Sequence, residues 1–201
     1  MNPLVFRSSF NRALSAVILV IVAAVVIGAV VLPGGVDFAV PLTLGAIGVA
    51  ALTWAILWSP HLELDDAGVD VHNVLLDHHV PWEALIHIET RYSLQLHTPS
   101  RRISVTGAPA PGAMSAVRAA RAQRRSEDAG GVPTLRPGDL PTSDSGRAAD
   151  LVRGRWHQLR DAGRIEPGLA DTAAVITRVR PLPIAAIVVG CGALVLAAFL
   201  A

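Results

Sequence analysis

The chain has 201 residues, 52% of them hydrophobic, and a formal net charge of only +1. Its mean hydropathy of +0.48 is high for a water-soluble domain. A single cysteine, Cys191, excludes a disulfide framework within the chain and a cysteine-built zinc centre. All 17 basic residues are arginine, which we read as genome composition and not as chemistry.

Residues 1–13 carry Arg7 and Arg12 and lead into the first of three apolar runs, 14–32, 38–58 and 182–201. Each is long enough, at 1.5 Å rise per residue, to cover the roughly 30 Å of a bilayer's hydrocarbon layer. The turn 33–37 between the first two holds one charge, Asp37. Every other arginine falls between Arg91 and Arg180. The positive-inside rule then puts the N-terminus and residues 59–181 in the cytoplasm, with the turn and the C-terminal end outside. Trp54 and Trp58 close the second run as interfacial tryptophans do. The first run exceeds the roughly 7–15 apolar residues of a signal peptide and has no small-x-small site at its end, so it reads as a retained span. Cys191, inside the third run, reads as a small packing residue.

Residues 59–106 alternate with period two between turn signals. Leu62-Glu63-Leu64 precedes the turn Asp65-Asp66-Ala67-Gly68, and Val69-Asp70-Val71-His72 follows it. Asn73 interrupts, Val74–Val80 resumes, and Pro81 opens a stretch over Trp82–Ile88. Leu94 and Leu96 alternate with Ser93 and Gln95, and a turn at Pro99-Ser100 leads to Ile103-Ser104-Val105. Strands this close in sequence imply an antiparallel meander, because parallel strands need long crossovers. Residues 107–144 form a Pro- and Arg-rich insertion, expected to be mobile. Ser145 is expected to cap an amphipathic helix over 145–162, with Ala148, Leu151, Val152, Trp156 and Leu159 facing the sheet and Gly163 as its stop. Residues 163–181 read as a linker to the third span.

Two stretches, Leu62 to Asn73 and Val80-Pro81-Trp82-Glu83-Ala84-Leu85-Ile86, carry a resemblance. They resemble the bacterial pleckstrin-homology-like (PH-like) domains of small actinobacterial membrane proteins, of the low molecular weight protein antigen 6 PH-domain type. The shared pattern is a strand, an acidic-Gly turn, a strand ending in a polar residue, and an apolar-Pro-Trp motif, behind two membrane spans. Gly68, Pro81 and Trp82 are the structural motif. The resemblance implies a curved antiparallel sheet capped by a C-terminal helix, although fewer strands are legible than a complete PH fold has. The expected fold is therefore three transmembrane helices plus a small antiparallel β PH-like domain with a C-terminal helix.

The domain's own charges speak against a phosphate pocket. Glu63, Asp65, Asp66, Asp70, Asp77, Glu83 and Glu89 outnumber Arg91, Arg101 and Arg102 between residues 60 and 106. Arg118, Arg121, Arg124 and Arg125 recur at helical spacing in the insertion and are the candidate contact with an anionic lipid surface. No aromatic residues interleave with these arginines, so nucleic acid is not an expected partner. His78 and His79 are adjacent on a strand and point to opposite faces, so they cannot share an ion. A meeting of His72 with Asp70 and Glu89 is not fixed by the sequence, and no metal or cofactor is expected. No catalytic motif is present: there is no phosphate-cradling Gly loop, Gly-x-Ser-x-Gly turn or His-Glu-x-x-His pair. Gly28, Gly45, Gly48, Gly190 and Gly192 permit close helix packing. The sequence thus points to a non-enzymatic, multi-pass protein of the bacterial inner membrane. Membrane lipids surround its spans, and its cytoplasmic domain serves a membrane or cytoplasmic protein partner through a strand edge or barrel rim. The alternatives are a sensor of anionic lipid and an accessory subunit of an envelope or transport complex.

Overall fold

The structure, a computed structural model, describes residues 3–31, 35–90, 93–109, 143–165, 170 and 173–201. In chain order its elements begin with β1 (Leu4–Phe6), α1 (Ser9–Val31), α2 (Gly35–Thr53) and a π-helical turn (Trp54–Trp58). There follow β2 (His61–Leu64), β3 (Gly68–His72), β4 (Leu76–Pro81), a 3₁₀ turn (Trp82–Ala84), β5 (His87–Glu89), β6 (Ser93–His97) and β7 (Arg102–Pro109). The last elements are α3 (Asp144–Asp161), β8 (Ile176–Val179) and α4 (Pro181–Leu200). These fall into a helical unit and a β-rich unit.

In the helical unit three helices, Ser9–Val31, Gly35–Trp58 and Pro181–Leu200, are long and apolar enough to cross a membrane. The first begins at Ser9, ahead of the apolar run, because its polar first turns find partners. The Arg12 guanidinium lies over the Trp58 ring, 5.0 Å from its centroid, and the Ser15 hydroxyl donates to the Asn11 carbonyl at 2.7 Å. Pro181 stands in the first turn of α4, where a missing N–H costs nothing. Helices α2 and α4 pack through Gly48 and Gly190: a β-carbon on Gly48 would stand 2.8 Å from the Gly190 carbonyl oxygen, and one on Gly190 would stand 3.0 Å from that of Gly48. A β-carbon on Gly45 would make only ordinary contact, with the Ala197 methyl at 3.9 Å, and one on Gly192 would meet nothing within 4 Å among the described residues. Cys191 is exposed, so it is not the packing residue that its size suggests.

The β-rich unit is a pair of antiparallel sheets closed by a helix. One has the strand order β1-β2-β3-β4-β8, the other β5-β6-β7. The alternation read from the sequence is the inward and outward alternation of these strands. Leu62, Leu64, Val69, Val71 and Val80 point into the core from the first sheet; Ile88, Leu94, Leu96, Ile103 and Val105 point in from the second. Asn73 interrupts β3 because it stitches the sheets together. Its Nδ2 donates to the Ser104 carbonyl at 2.8 Å, and its Oδ1 accepts from the Thr106 N–H and hydroxyl, each at 2.8 Å.

Both strands that the sequence reading left out lie at the edges of the larger sheet. Leu4–Phe6, within the segment read as a plain N-terminus, pairs antiparallel with β2, Leu4 opposite Leu64 and Phe6 opposite Leu62. Ile176–Val179, read as linker, lies beside β4. The C-terminal helix α3 rests on β5, β6 and β7 with Ala148, Ala149, Val152 and Leu159 buried, whereas Leu151 is 41% exposed. Its cap is Ser143, not Ser145: the Ser143 oxygen accepts from the Gly146 N–H at 2.9 Å, and Ser145 is buried. At the other end Gly163 adopts φ +68°, with its N–H bonded to the Arg160 carbonyl and the Arg164 N–H to that of Leu159, the Schellman arrangement.

Candidate functional site

The residues that carry the family resemblance form a single corner of the β-rich unit. Asp65 Oδ1 accepts from the N–H groups of Ala67 and Gly68, both at 2.8 Å, which closes the β2–β3 turn. Gly68 then pairs with Pro81, the last residue of β4, so close that a β-carbon would meet the Val80 carbonyl. Pro81 therefore ends a strand instead of opening one, and its missing N–H costs no ladder bond. Trp82 follows, 1% exposed, and its indole N–H donates to the Asp65 carbonyl at 3.1 Å. The neighbouring Asp66 binds α3: its carboxylate pairs with the buried Arg155 and, at 3.4 Å, with Arg164. Arg155, whose Nη1 also donates to Gln158 at 2.9 Å, gave no signal in the sequence beyond its place on the helix.

At its other end α3 is fixed by the chain's first residues. The buried Ser8 hydroxyl donates to the Asp144 carboxylate, which also pairs with Arg147; the Arg147 guanidinium in turn lies 5.9 Å from the Phe6 ring centroid. An acidic side chain in the first helical turn also suits the helix dipole.

The outward face of the larger sheet is a grid of imidazoles and carboxylates. The register sets His61 opposite His72 and His72 opposite Asp77 in one row, and Glu63 opposite Asp70 and Asp70 opposite His79 in the next. His61 and His72 stack with centroids 4.3 Å apart. His61 Nε2 lies 3.2 Å from Glu63 Oε1, His72 Nδ1 2.7 Å from Asp77 Oδ1, and His79 Nδ1 2.8 Å from Asp70 Oδ1. A cavity of about 290 Å³ beside them is lined by Asp70, His72, Asp77, His79, Ile176 and Arg178. The meeting that the sequence left open is settled by the fold: Asp70 and His72 line this cavity together, whereas Glu89 sits on the other sheet, 3.3 Å from His97. The signal that finds the true set is the Asp65–Gly68 turn, because folding the hairpin about it places His61 across from His72. His78 points away from His79, toward Thr177, whose hydroxyl lies 3.0 Å from Nδ1 and also accepts from Arg101 at 2.9 Å. Burial, and after it the Arg101 charge, hold the His78 imidazole below its ordinary value of 6.5, with Asp77 opposing them.

A second candidate surface lies between β5 and α3. Strand β5 pairs with β6 on one side, and among the described residues no strand pairs with its other edge. There the Ile88 carbonyl accepts from Arg153 at 3.4 Å. A cavity of about 200 Å³ runs along this edge, with Ile86, His87, Ile88, Arg153, Trp156 and His157 in its lining. Ile86 is 59% exposed, and the buried Trp156 indole N–H has no hydrogen-bond partner among the described residues. The sequence marked Trp156 only as part of the helix's apolar stripe. The candidate lipid contacts Arg118, Arg121, Arg124 and Arg125 lie outside the described residues.

Residues 59–153 match the family model described as bacterial PH domain, a stretch that runs from the end of the second span through β7 into the first half of α3. The edge strands β1 and β8 lie outside the match. No curated protein matches the chain, and no solved structure does.

Proposed function

We propose that the bacterial PH-like domain this chain carries is a protein-recognition module, held at the cytoplasmic face of the bacterial inner membrane by three spans, with no catalytic activity of its own. The observation that carries this reading is the edge of β5 beside α3, with which no strand pairs among the described residues. An extended peptide laid along that edge would gain main-chain hydrogen bonds, with its alternate side chains entering the cavity at Ile86, Ile88 and Trp156. The Trp156 indole N–H offers such a segment a buried donor that has no partner among the described residues. The acidic and imidazole grid on the larger sheet supports the same reading from the other direction, since a phosphate head group seeks a basic pocket. Placement in the cytoplasm follows from the arginine distribution.

The test is site-specific photo-crosslinking in living cells, with the probe at His87 in the groove and, as a control, at the exposed Asp150 on α3. One recurrent protein adduct from His87, absent from Asp150 and abolished by Ile86→Asp, is the expected result. Adducts to lipid alone, or equal adducts from both positions, would overturn the reading. Salt-sensitive binding of the full chain to anionic vesicles would favour the lipid-surface alternative through Arg118, Arg121, Arg124 and Arg125.

A further inference from the structure

We propose that His61, Glu63 and His72 form a binding site for a divalent transition-metal ion of the zinc class. One donor atom from each lies within 4.8 Å of the other two. The fold brings them together by two local rules. The period-two alternation of β2 places His61 and Glu63 on one face, and the hairpin register sets His72 opposite His61. All three side chains are part-exposed, so an ion reaches them from solution.

The donor chemistry selects the ion. Two imidazoles and a carboxylate are the ligand set of an open tetrahedral zinc site, in which the fourth position is left to water or a further ligand. Calcium and magnesium take oxygen ligands and gain little from two imidazoles, while the absence of thiolate or thioether disfavours copper(I).

What lifts the trio above a chance cluster is its outer partner. His72 Nδ1 lies 2.7 Å from Asp77 Oδ1, which fixes that nitrogen as the proton carrier and leaves Nε2 as the ligand. A carboxylate–imidazole–metal relay of this kind orients the ring and fixes its tautomer. His61 Nε2 and Glu63 Oε1 lie 3.2 Å apart, so two of the three donor atoms are already side by side. An ion here would join the last residue of β3 to β2, and of its three ligands His72 also lines the cavity with Asp70, His79 and Arg178.

The full-length protein, purified in detergent with a tag free of histidine, is titrated with Co²⁺ and then with Zn²⁺. The expected result is one equivalent of Co²⁺ with the intense visible absorption of a tetrahedral site, lost as Zn²⁺ displaces it. His72→Ala and Glu63→Gln each weaken binding at least about tenfold, and Asp77→Asn weakens it about 10–100-fold. His97→Gln, on the other sheet, leaves it unchanged. Three results would overturn the proposal: no retained ion, the weak absorption of an octahedral aquo complex, or undiminished binding in a His61→Ala, His72→Ala double variant with native circular dichroism.

Discussion

Gly68 faces Pro81 across β3 and β4, and the Val80 carbonyl occupies the place where a side chain on Gly68 would begin. The requirement is for space and not for backbone freedom, since Gly68 is not among the glycines with positive φ. A β-carbon there would also stand 3.0 Å from the Val80 carbonyl carbon and 3.1 Å from Pro81 Cα, all main-chain atoms that move only if the strands part. Gly68→Ala is therefore expected to destabilise the β-rich unit by about 3 kcal/mol, the upper part of the range for overpacking. Thermal unfolding followed by circular dichroism measures it; a loss within 0.5 kcal/mol, as for an ordinary surface change, would contradict the geometry.

How much of this was legible in the sequence depends on whether a residue's role is periodic. Leu62 and Leu64, Val69 and Val71, and Leu94 and Leu96 announce their strands because every second side chain is buried. The three helices able to cross a membrane announce themselves by length and apolar composition together. Strand β8 has no such signal, because Ile176, Thr177, Arg178 and Val179 are all exposed; it is a strand only through its place beside β4. Strand β1 is three residues long, too short to show a period. Ser143 and Ser145 are chemically equivalent as caps, and the extended backbone of Ser143 decides between them. The groove at Trp156 and the meeting of His61 with His72 are products of register and packing, which alternation alone does not supply.

The Asp66–Arg155 pair couples the β2–β3 turn to α3. Arg155 is 8% exposed and Asp66 38%, so removing the carboxylate takes a charged partner from a buried guanidinium. In a double-mutant cycle with Asp66→Asn and Arg155→Met, the coupling energy is expected near 1 kcal/mol. That is the lower part of the range for contacting residues, because solvent screens Asp66 and Arg164 also reaches it. Urea unfolding of the four proteins gives the value, and additive losses would show that the pair contributes nothing.

Within the helical unit, Gly48 and Gly190 let the backbones of α2 and α4 touch. A side chain on Gly48 would meet the Gly190 carbonyl oxygen and Leu194 Cγ, both at 2.8 Å. In lipid no hydrophobic force draws helices together, so lost packing is not replaced. Gly48→Val is expected to weaken the helical unit by about 1–3 kcal/mol. Gly192→Val, where nothing lies within 4 Å, is expected to change little. The contrast is read from the midpoint of unfolding in mixed micelles of mild detergent and dodecyl sulfate. Equal shifts for both variants would remove the close contact from the account.

His78 gives the fold a pH dependence whose sign is fixed. Its imidazole is held below 6.5 in the folded protein by burial and by Arg101, against the pull of Asp77. Between the folded value and 6.5 the unfolded chain binds more protons than the folded one, so this residue's contribution to stability falls as pH drops through that interval. Above 6.5 both states are neutral, and below the folded value both are charged, so the contribution is flat on either side. Imidazole proton shifts in the full chain should place the His78 midpoint below that of a free histidine. Arg101→Gln should move it upward, since a nearby cation is removed, and Asp77→Asn should move it downward. His78→Gln should remove this part of the slope of stability against pH. A His78 midpoint at or above 6.5 would mean that burial and Arg101 do not govern the ring.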